Sequence, residues 1–198
     1  MRIGIVIATT GRRDTVERTA PLWATQTSPY DRLIFSVPSQ DDVGPIAAGL
    51  PGAEIKLSPK GLTKQRNCAL DHLGLDCDIV LFADDDFVPS HRYVQAVREI
   101  MAAESDIVIL SGYVLADGIN NEGISFEDAM NIVSKHDSKP AATPPAMDVM
   151  PHAYGCNMAI RVAAHPELRF DERLPLYGWL EDLDYSRRIA GRGRLIRS

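Results

Sequence analysis

Two clusters of carboxylates are the residues in this sequence most able to do chemistry. One is the run DDD at Asp84, Asp85 and Asp86, directly after the apolar segment IVLFA; the other is Glu181 and Asp182 in the segment LEDLD. Three adjacent like charges repel one another and resist leaving water. A bound cation would offset that repulsion; the alternative is a solvated acidic turn after a strand.

The spacing of the first cluster suits a divalent cation. Side chains alternate along an extended segment, so we expect Asp84 and Asp86 to share one side and Asp85 to face the other. Hard cations such as Mg²⁺ take carboxylate oxygens from one or two protein groups and complete their shell with phosphate oxygens and water. The pattern therefore predicts a metal whose shell is completed by a nucleoside diphosphate.

Composition excludes several classes of protein. The formal net charge of −6 over 198 residues argues against a nucleic-acid partner, which requires concentrated Lys and Arg. No apolar run approaches the roughly 20 residues of a membrane helix, so we expect no integral membrane segment. Three cysteines with neither disulfide nor zinc spacing favour a reduced, cytoplasmic setting.

The elements that must position the acids alternate along the chain. Runs dense in branched apolar residues predict strands, and helix-period segments lie between them. The predicted strands are 3–9, 33–37, 53–57, 79–83, 106–110 and 154–161. The predicted helices are 13–26, 43–50, 63–73, one capped by Ser90, 126–134 and 178–191, the last closed by Gly191. This alternation favours an α/β fold: a mostly parallel sheet with helices on both faces.

We expect one domain over residues 1–198. We expect this domain to consist of two halves, residues 1–112 and 113–198. The polar, Pro-rich segment KHDSKPAATPPAMD predicts a mobile loop at about 135–150.

Six segments together resemble one family. FADDDF is similar to the DxD motif of the family 2 inverting nucleotide-sugar glycosyltransferases, which have the Rossmann-like GT-A fold. The other five resemble further motifs of that family in its order: VIATTGRR, SVPSQDD, GLTKQRNCAL, YGCNMAIR and GWLEDLDYSRR. The resemblance implies a GT-A sheet with a smaller acceptor-side β region. The resemblance further implies that residues 1–112 are the nucleotide-binding half and residues 113–198 the acceptor-binding half. It also implies a hexosyltransferase-type enzyme that uses Mn²⁺ or Mg²⁺, a nucleotide-sugar donor, most simply a UDP-sugar, and a saccharide or other hydroxyl acceptor.

The resemblance also assigns residues to the nucleotide and the metal. Asp86 is implied as the direct metal ligand, and Asp84 as a contact to the ribose or to the metal's water. Asp85 matches the variable middle position and could help through water. The remaining implied nucleotide contacts are Thr9, Thr10, Gly11, Arg12, Asp42, Lys60 and Arg66. Most have a plainer alternative: a strand-to-helix turn for residues 9–12, a helix cap for Asp42, and an ordinary solvated helix residue for Arg66, as for Lys64.

The second cluster is implied to do the chemistry on the acceptor. By resemblance, Asp182 is the general base and Glu181 orients the acceptor or the surroundings of Asp182; the alternative is an acid-rich helix start. Asn157 resembles an acceptor or sugar contact. Tyr177 and Trp179 are either an aromatic platform for a sugar ring or core residues.

One departure from the family keeps other functions open. Many relatives carry a further His or basic residue after the strand that follows the Glu-Asp helix, whereas this sequence stops at GRGRLIRS. The group is therefore missing or lies beyond Ser198. The alternatives are a nucleotidyltransferase-like enzyme, for which TTGRRDT is poor in glycine, and a non-catalytic nucleotide- or sugar-binding module of the same fold.

Overall fold

The computed structural model describes residues 1–119, 123–140 and 146–198. The strands in these ranges are β1 (Ile3–Ala8), β2 (Arg32–Val37), β3 (Ala53–Leu57), β4 (Ile79–Ala83), β5 (Ile107–Ser111), β6 (Asp148–Val149), β7 (Asn157–Ile160) and β8 (Arg194–Arg197). The α-helices are α1 (Arg13–Thr19), α2 (Pro21–Ala24), α3 (Leu62–Leu73), α4 (Tyr93–Ala103), α5 (Phe126–Asp137) and α6 (Glu181–Ile189).

All eight strands form one mixed sheet in the order β3-β2-β1-β4-β7-β5-β8-β6. The first four strands of that order are parallel to one another, and β5 is parallel to β8. β7 lies between β4 and β5 and is antiparallel to both, and β6 is antiparallel to β8. The predicted α/β fold with a mostly parallel sheet is confirmed.

The sheet is buried on both faces. Along β1, Ile3, Ile5 and Ile7 point into one core cluster while Val6 points into the other. Helices α1, α2 and α4 cover the first face, and α3 and α6 cover the second. Burial on both sides explains why the central strands are continuous apolar runs.

The first two predicted helices differ from those observed. The segment 13–26 forms two helices because Pro21 has no backbone N–H and cannot continue α1. The segment 43–50 forms only a 3₁₀ helix over Gly44–Gly49, with Pro45 in its first turn.

Two predicted helix ends are also wrong. Ser90 does not cap α4, which begins at Tyr93; its hydroxyl instead donates to Asp137 Oδ1 at 2.5 Å. The last helix begins at Glu181 rather than at residue 178 and ends at Ile189, and Gly191 lies in a following 3₁₀ turn.

The predicted loop at 135–150 is shorter than expected. Residues 135–137 form the last turn of α5, and Asp148–Val149 is the strand β6, which pairs with β8. Both β6 and β8 escaped the sequence analysis. Residues 141–145 of the predicted loop lie outside the described residues, and its mobility stays a prediction.

Within the described ranges, no helix combines the length and the apolar character needed to cross a membrane.

Candidate active site

The sheet brings the predicted site segments to one edge. Ile7 of β1 pairs with Ala83 of β4 in a parallel register, so the two strands end together. Asn157 opposite Ala83 begins the antiparallel β7, so β7 starts where β4 ends. Residues 9–12, the aspartates 84–86 and the approach to β7 therefore meet where open α/β sheets bind ligands.

Asp85, the middle aspartate, is buried and contacts three residues of the first strand-to-helix region. Its side chain accepts a hydrogen bond from Thr9 Oγ1 at 2.5 Å and forms an ion pair with Arg12 Nη1 at 2.7 Å. Its backbone carbonyl accepts a hydrogen bond from Thr19 Oγ1 at 2.6 Å. Burial raises the pKa of Asp85, and the Thr9 hydrogen bond and the Arg12 charge oppose that rise. With Asp85 only 5% exposed, its placement favours a structural role over direct contact with a nucleotide.

Asp84 and Asp86 are the open members of the triplet. Their side chains are 44% and 56% exposed. They lie in a turn rather than in the expected extended segment, and the Phe87 amide closes this turn by donating to the Asp84 carbonyl at 3.2 Å. As expected, Asp85 differs from the other two, because it alone is buried. Burial raises the pKa of Asp84, against the opposing charge of Arg66, and the charge of Asp86 adds to the rise.

Arg66 joins the two acidic clusters. Its guanidinium donates from Nη1 to Glu181 Oε1 at 2.8 Å and from Nη2 to the Gly155 carbonyl at 2.9 Å, and Nη2 lies 3.4 Å from Asp84 Oδ1. The residue is 2% exposed. Arg66 was predicted as a nucleotide contact; its depth favours positioning the acids instead, because a phosphate cannot reach a guanidinium so enclosed by protein.

Glu181 and Asp182 occupy the first turn of α6 and pack against Gly155. Asp182 accepts from the Gly155 amide at 2.8 Å through Oδ2 and from the Leu183 amide at 2.7 Å through Oδ1. A Cβ on Gly155 would lie 2.8 Å from Glu181 Oε1 and 3.3 Å from Asp182 Oδ2, so a side chain there would displace the Glu181 carboxylate. Burial raises the pKa of Glu181, and the charge of Arg66 opposes the rise.

Asp42 ties the turn after β1 to the turn after β2. Its Oδ1 accepts from the Gly11 amide at 2.6 Å and its Oδ2 from the Ser39 amide at 3.1 Å. Gly11 has a φ of +68°, a conformation that favours glycine. Ser39 caps the 3₁₀ turn Gln40–Asp42, and Asp42 completes the capping box, so the capping alternative describes its contacts more closely than a base contact does.

The other two predicted nucleotide contacts are at least partly exposed to solvent. Lys60 is exposed just before α3, and Thr10 is half-buried with its hydroxyl donating to the Thr9 carbonyl at 2.8 Å.

The three predicted acceptor contacts separate into two environments. Asn157 is 1% exposed, and its Nδ2 donates to the Gly112 carbonyl at 3.3 Å, so its position favours a structural role over a sugar contact. Tyr177 and Trp179 are 61% and 55% exposed immediately before Glu181. The alternative that these aromatics are core residues is wrong.

Three residues of this edge escaped the sequence analysis. Gln65 Nε2 donates to the carbonyls of Thr9 and Ser36 at 2.9 and 2.7 Å, which binds the ends of β1 and β2 together. Tyr154 donates to Asp117 at 2.5 Å. No local sequence pattern marks Asp117, which comes close to Tyr154 in a fold where β5 pairs with β7. Gln65 lies in the segment GLTKQRNCAL, but the sequence alone indicated no role for it.

The donor atoms present suit a hard cation only with help from a ligand. Among residues 1–119, 123–140 and 146–198, no group of three or more His, Cys, Asp or Glu side chains is placed to hold a metal ion. The open carboxylates of Asp84 and Asp86 supply the oxygen chemistry that Mg²⁺ or Mn²⁺ takes from one or two protein groups. A diphosphate would have to complete the shell.

Comparison with known proteins defines the fold. The sequence matches no protein-family model and no curated protein. The structure is similar to S. aureus TarS 1-349, with a TM-score of 0.71 at 12% identity over 100% of this chain and 58% of that one. It is also similar to the mannosyltransferase PcManGT from Pyrobaculum calidifontis, solved with GDP-Man and Mn²⁺, with a TM-score of 0.67 at 16% identity over 100% of this chain and 54% of that one.

A further solved structure is S. aureus TarS 1-349 in complex with UDP-GlcNAc, which this chain matches with a TM-score of 0.70 at 15% identity. The chain thus has the GT-A glycosyltransferase fold and spans little more than half the length of these proteins.

Proposed function

We propose that this chain carries the donor-binding and catalytic site of a metal-assisted, inverting glycosyltransferase of the family 2 type. The donor is a nucleoside diphosphate sugar, with a UDP-sugar as the first candidate, and the acceptor is a saccharide or other hydroxyl. The observation that carries the proposal is the position of Arg66, whose one guanidinium contacts both Asp84 and Glu181. That contact supports a shared site for the proposed cation-binding acids and the Glu-Asp pair.

The donor side uses the open acids and the cations around them. Asp86 and Asp84 would hold Mn²⁺ or Mg²⁺, which when bound neutralises charge on the leaving diphosphate. Arg12 is half-exposed beside Asp86, and Lys60 is exposed before α3. Both add positive charge where the phosphates would lie.

The acceptor side uses Asp182 as general base. The acceptor oxygen forms a bond to the anomeric carbon, the bond from that carbon to the diphosphate oxygen breaks, and the hydroxyl proton passes to a carboxylate oxygen of Asp182. The amides of Gly155 and Leu183 fix the orientation of that carboxylate. Tyr177 and Trp179 offer aromatic faces to the sugar ring.

A cytoplasmic setting belongs to the same proposal. The structure has Cys68, Cys77 and Cys156 as free thiols. Reduced thiols suit that compartment.

A thermal-shift panel tests donor binding. Wild-type protein is heated with UDP-, GDP-, dTDP- and CDP-sugars, each with and without Mn²⁺. One donor should raise the melting temperature in the presence of Mn²⁺, because a ligand that binds only the folded state stabilises it. Asp86→Asn should lose the Mn²⁺-dependent part of the shift, whereas Asp14→Asn, an exposed position on α1, should retain it. No shift with any donor would contradict the proposal.

A further inference from the structure

Arg12 forms a bridge between two of the three aspartates. Its Nη1 lies 2.7 Å from Asp85 Oδ1 and its Nη2 lies 2.8 Å from Asp86 Oδ2. A guanidinium presents its donors in a rigid planar fork that can engage two carboxylates at once, whereas a lysine ammonium is a single point charge. One side chain therefore offsets part of the repulsion between these two acids.

The two ends of this bridge are not equivalent. The Asp85 side chain is 6% exposed and also accepts from Thr9, so its partner cannot leave without stranding a buried charge. The Asp86 side chain is 56% exposed, and within the described residues Arg12 is its one ion-pair and hydrogen-bond partner. Exposed ion pairs are worth little, so the Asp86 end is the one that can exchange.

We propose that Arg12 is a built-in counter-ion of the candidate cation site, anchored on Asp85 and exchangeable at Asp86. In this structure, Nη2 contacts the carboxylate that a divalent cation would use. When the cation and a diphosphate bind, Nη2 leaves Asp86 and donates to a diphosphate oxygen, while Nη1 stays on Asp85. This inference rests on the proposed function and assigns to Arg12 a substrate-binding role in it.

The exchange makes the cation and the nucleotide bind cooperatively. A cation that arrives alone must displace a guanidinium that gains no new partner. A cation that arrives with a diphosphate gives the displaced guanidinium an anionic acceptor. By linkage, each ligand then raises the affinity for the other.

Binding measurements on nucleotide-free and nucleotide-bound protein test the exchange. Mn²⁺ affinity is measured from the electron paramagnetic resonance signal of free Mn²⁺, and UDP and GDP affinities by calorimetry at saturating Mn²⁺. Arg12→Gln should bind Mn²⁺ alone about fivefold more tightly than wild type and should bind the nucleoside diphosphate about tenfold more weakly. Arg13→Gln is the matched control, since Arg13 is the adjacent exposed arginine and pairs with Glu17; it should change neither affinity.

Arg12→Lys guards against misfolding of the Gln variant. It keeps a positive charge beside the buried Asp85 but lacks the planar fork that engages both carboxylates in Arg12, so its Mn²⁺ affinity should lie between those of wild type and Arg12→Gln. If Arg12→Gln and Arg12→Lys bind Mn²⁺ and UDP as Arg13→Gln does, while wild type binds both, the exchange is refuted and the proposed function stands. If wild type binds neither UDP nor GDP with Mn²⁺, the proposed function fails and the exchange fails with it.

Discussion

Arg66 is the side chain on which the geometry of the site depends. Its guanidinium carbon lies 5.3 and 5.4 Å from the ring centroids of Phe82 and Phe170, with carboxylates and a carbonyl at its rim. A buried charge is tolerated only when it is paired and hydrogen-bonded. The two aromatic rings lie against the guanidinium. The ion pairs of Arg66 link Asp84, directly after β4, to Glu181, the first residue of α6.

Removing this cation should destabilise the fold. Arg66→Gln leaves Glu181 buried without its partner, and breaking such a pair costs about 3–5 kcal/mol. The free energy of unfolding, measured with urea, should fall by that amount.

The control for this prediction is Arg13→Gln, which removes an exposed pair with Glu17 and should cost less than about 0.5 kcal/mol. Equal small losses in the two variants would mean that Arg66 is not a structural cation.

The segment between Pro175 and α6 positions the exposed aromatics. Leu176, Gly178 and Leu180 have φ values of +61°, +100° and +65°. Left-handed conformations are unfavourable for leucine, so neighbouring contacts must hold them. One such contact is the amide of Leu62 at the start of α3, which donates to the Tyr177 carbonyl at 3.2 Å.

A methyl group at Gly178 should disturb this segment. The added Cβ would lie 2.8 Å from Thr63 Cγ2, and the φ of +100° disfavours any side chain. We expect Gly178→Ala to lower the free energy of unfolding by about 1–2 kcal/mol. Gly191→Ala is the control, because a Cβ there meets no atom within 4 Å and φ is not left-handed. Equal melting temperatures for the two variants would contradict this prediction.

At the scale of the whole molecule, the sequence predicted the sheet better than its edges. The buried strands around Ile5 and Leu81 are long branched apolar runs, which indicate strands without tertiary context. β8 has two arginines among its four residues and β6 has only two residues. Both are strands because β5 offers β8 a hydrogen-bonding edge, and no local pattern encodes that.

The candidate site divides in the same way. The acids could be found from their types and their place after a strand. The bonds that Arg66 and Arg12 make could not, because both span dozens of residues in the chain and depend on β4 lying between β1 and β7. The burial of Asn157 likewise follows from that order, since β7 is an internal strand.

Donor hydrolysis by site variants tests the central claim, that Asp86 and Asp182 act on one substrate in one cleft. Turnover of the donor identified by thermal shift is followed by release of the nucleoside diphosphate, and nucleotide affinity is measured in parallel with Mn²⁺. Asp182→Asn should lose about 100-fold or more in turnover, the usual contribution of a general base, while it binds the nucleotide like wild type. Asp86→Asn should lose the Mn²⁺-dependent affinity as well. Wild-type turnover in Asp182→Asn, or unchanged Mn²⁺-dependent binding in Asp86→Asn, would contradict the account.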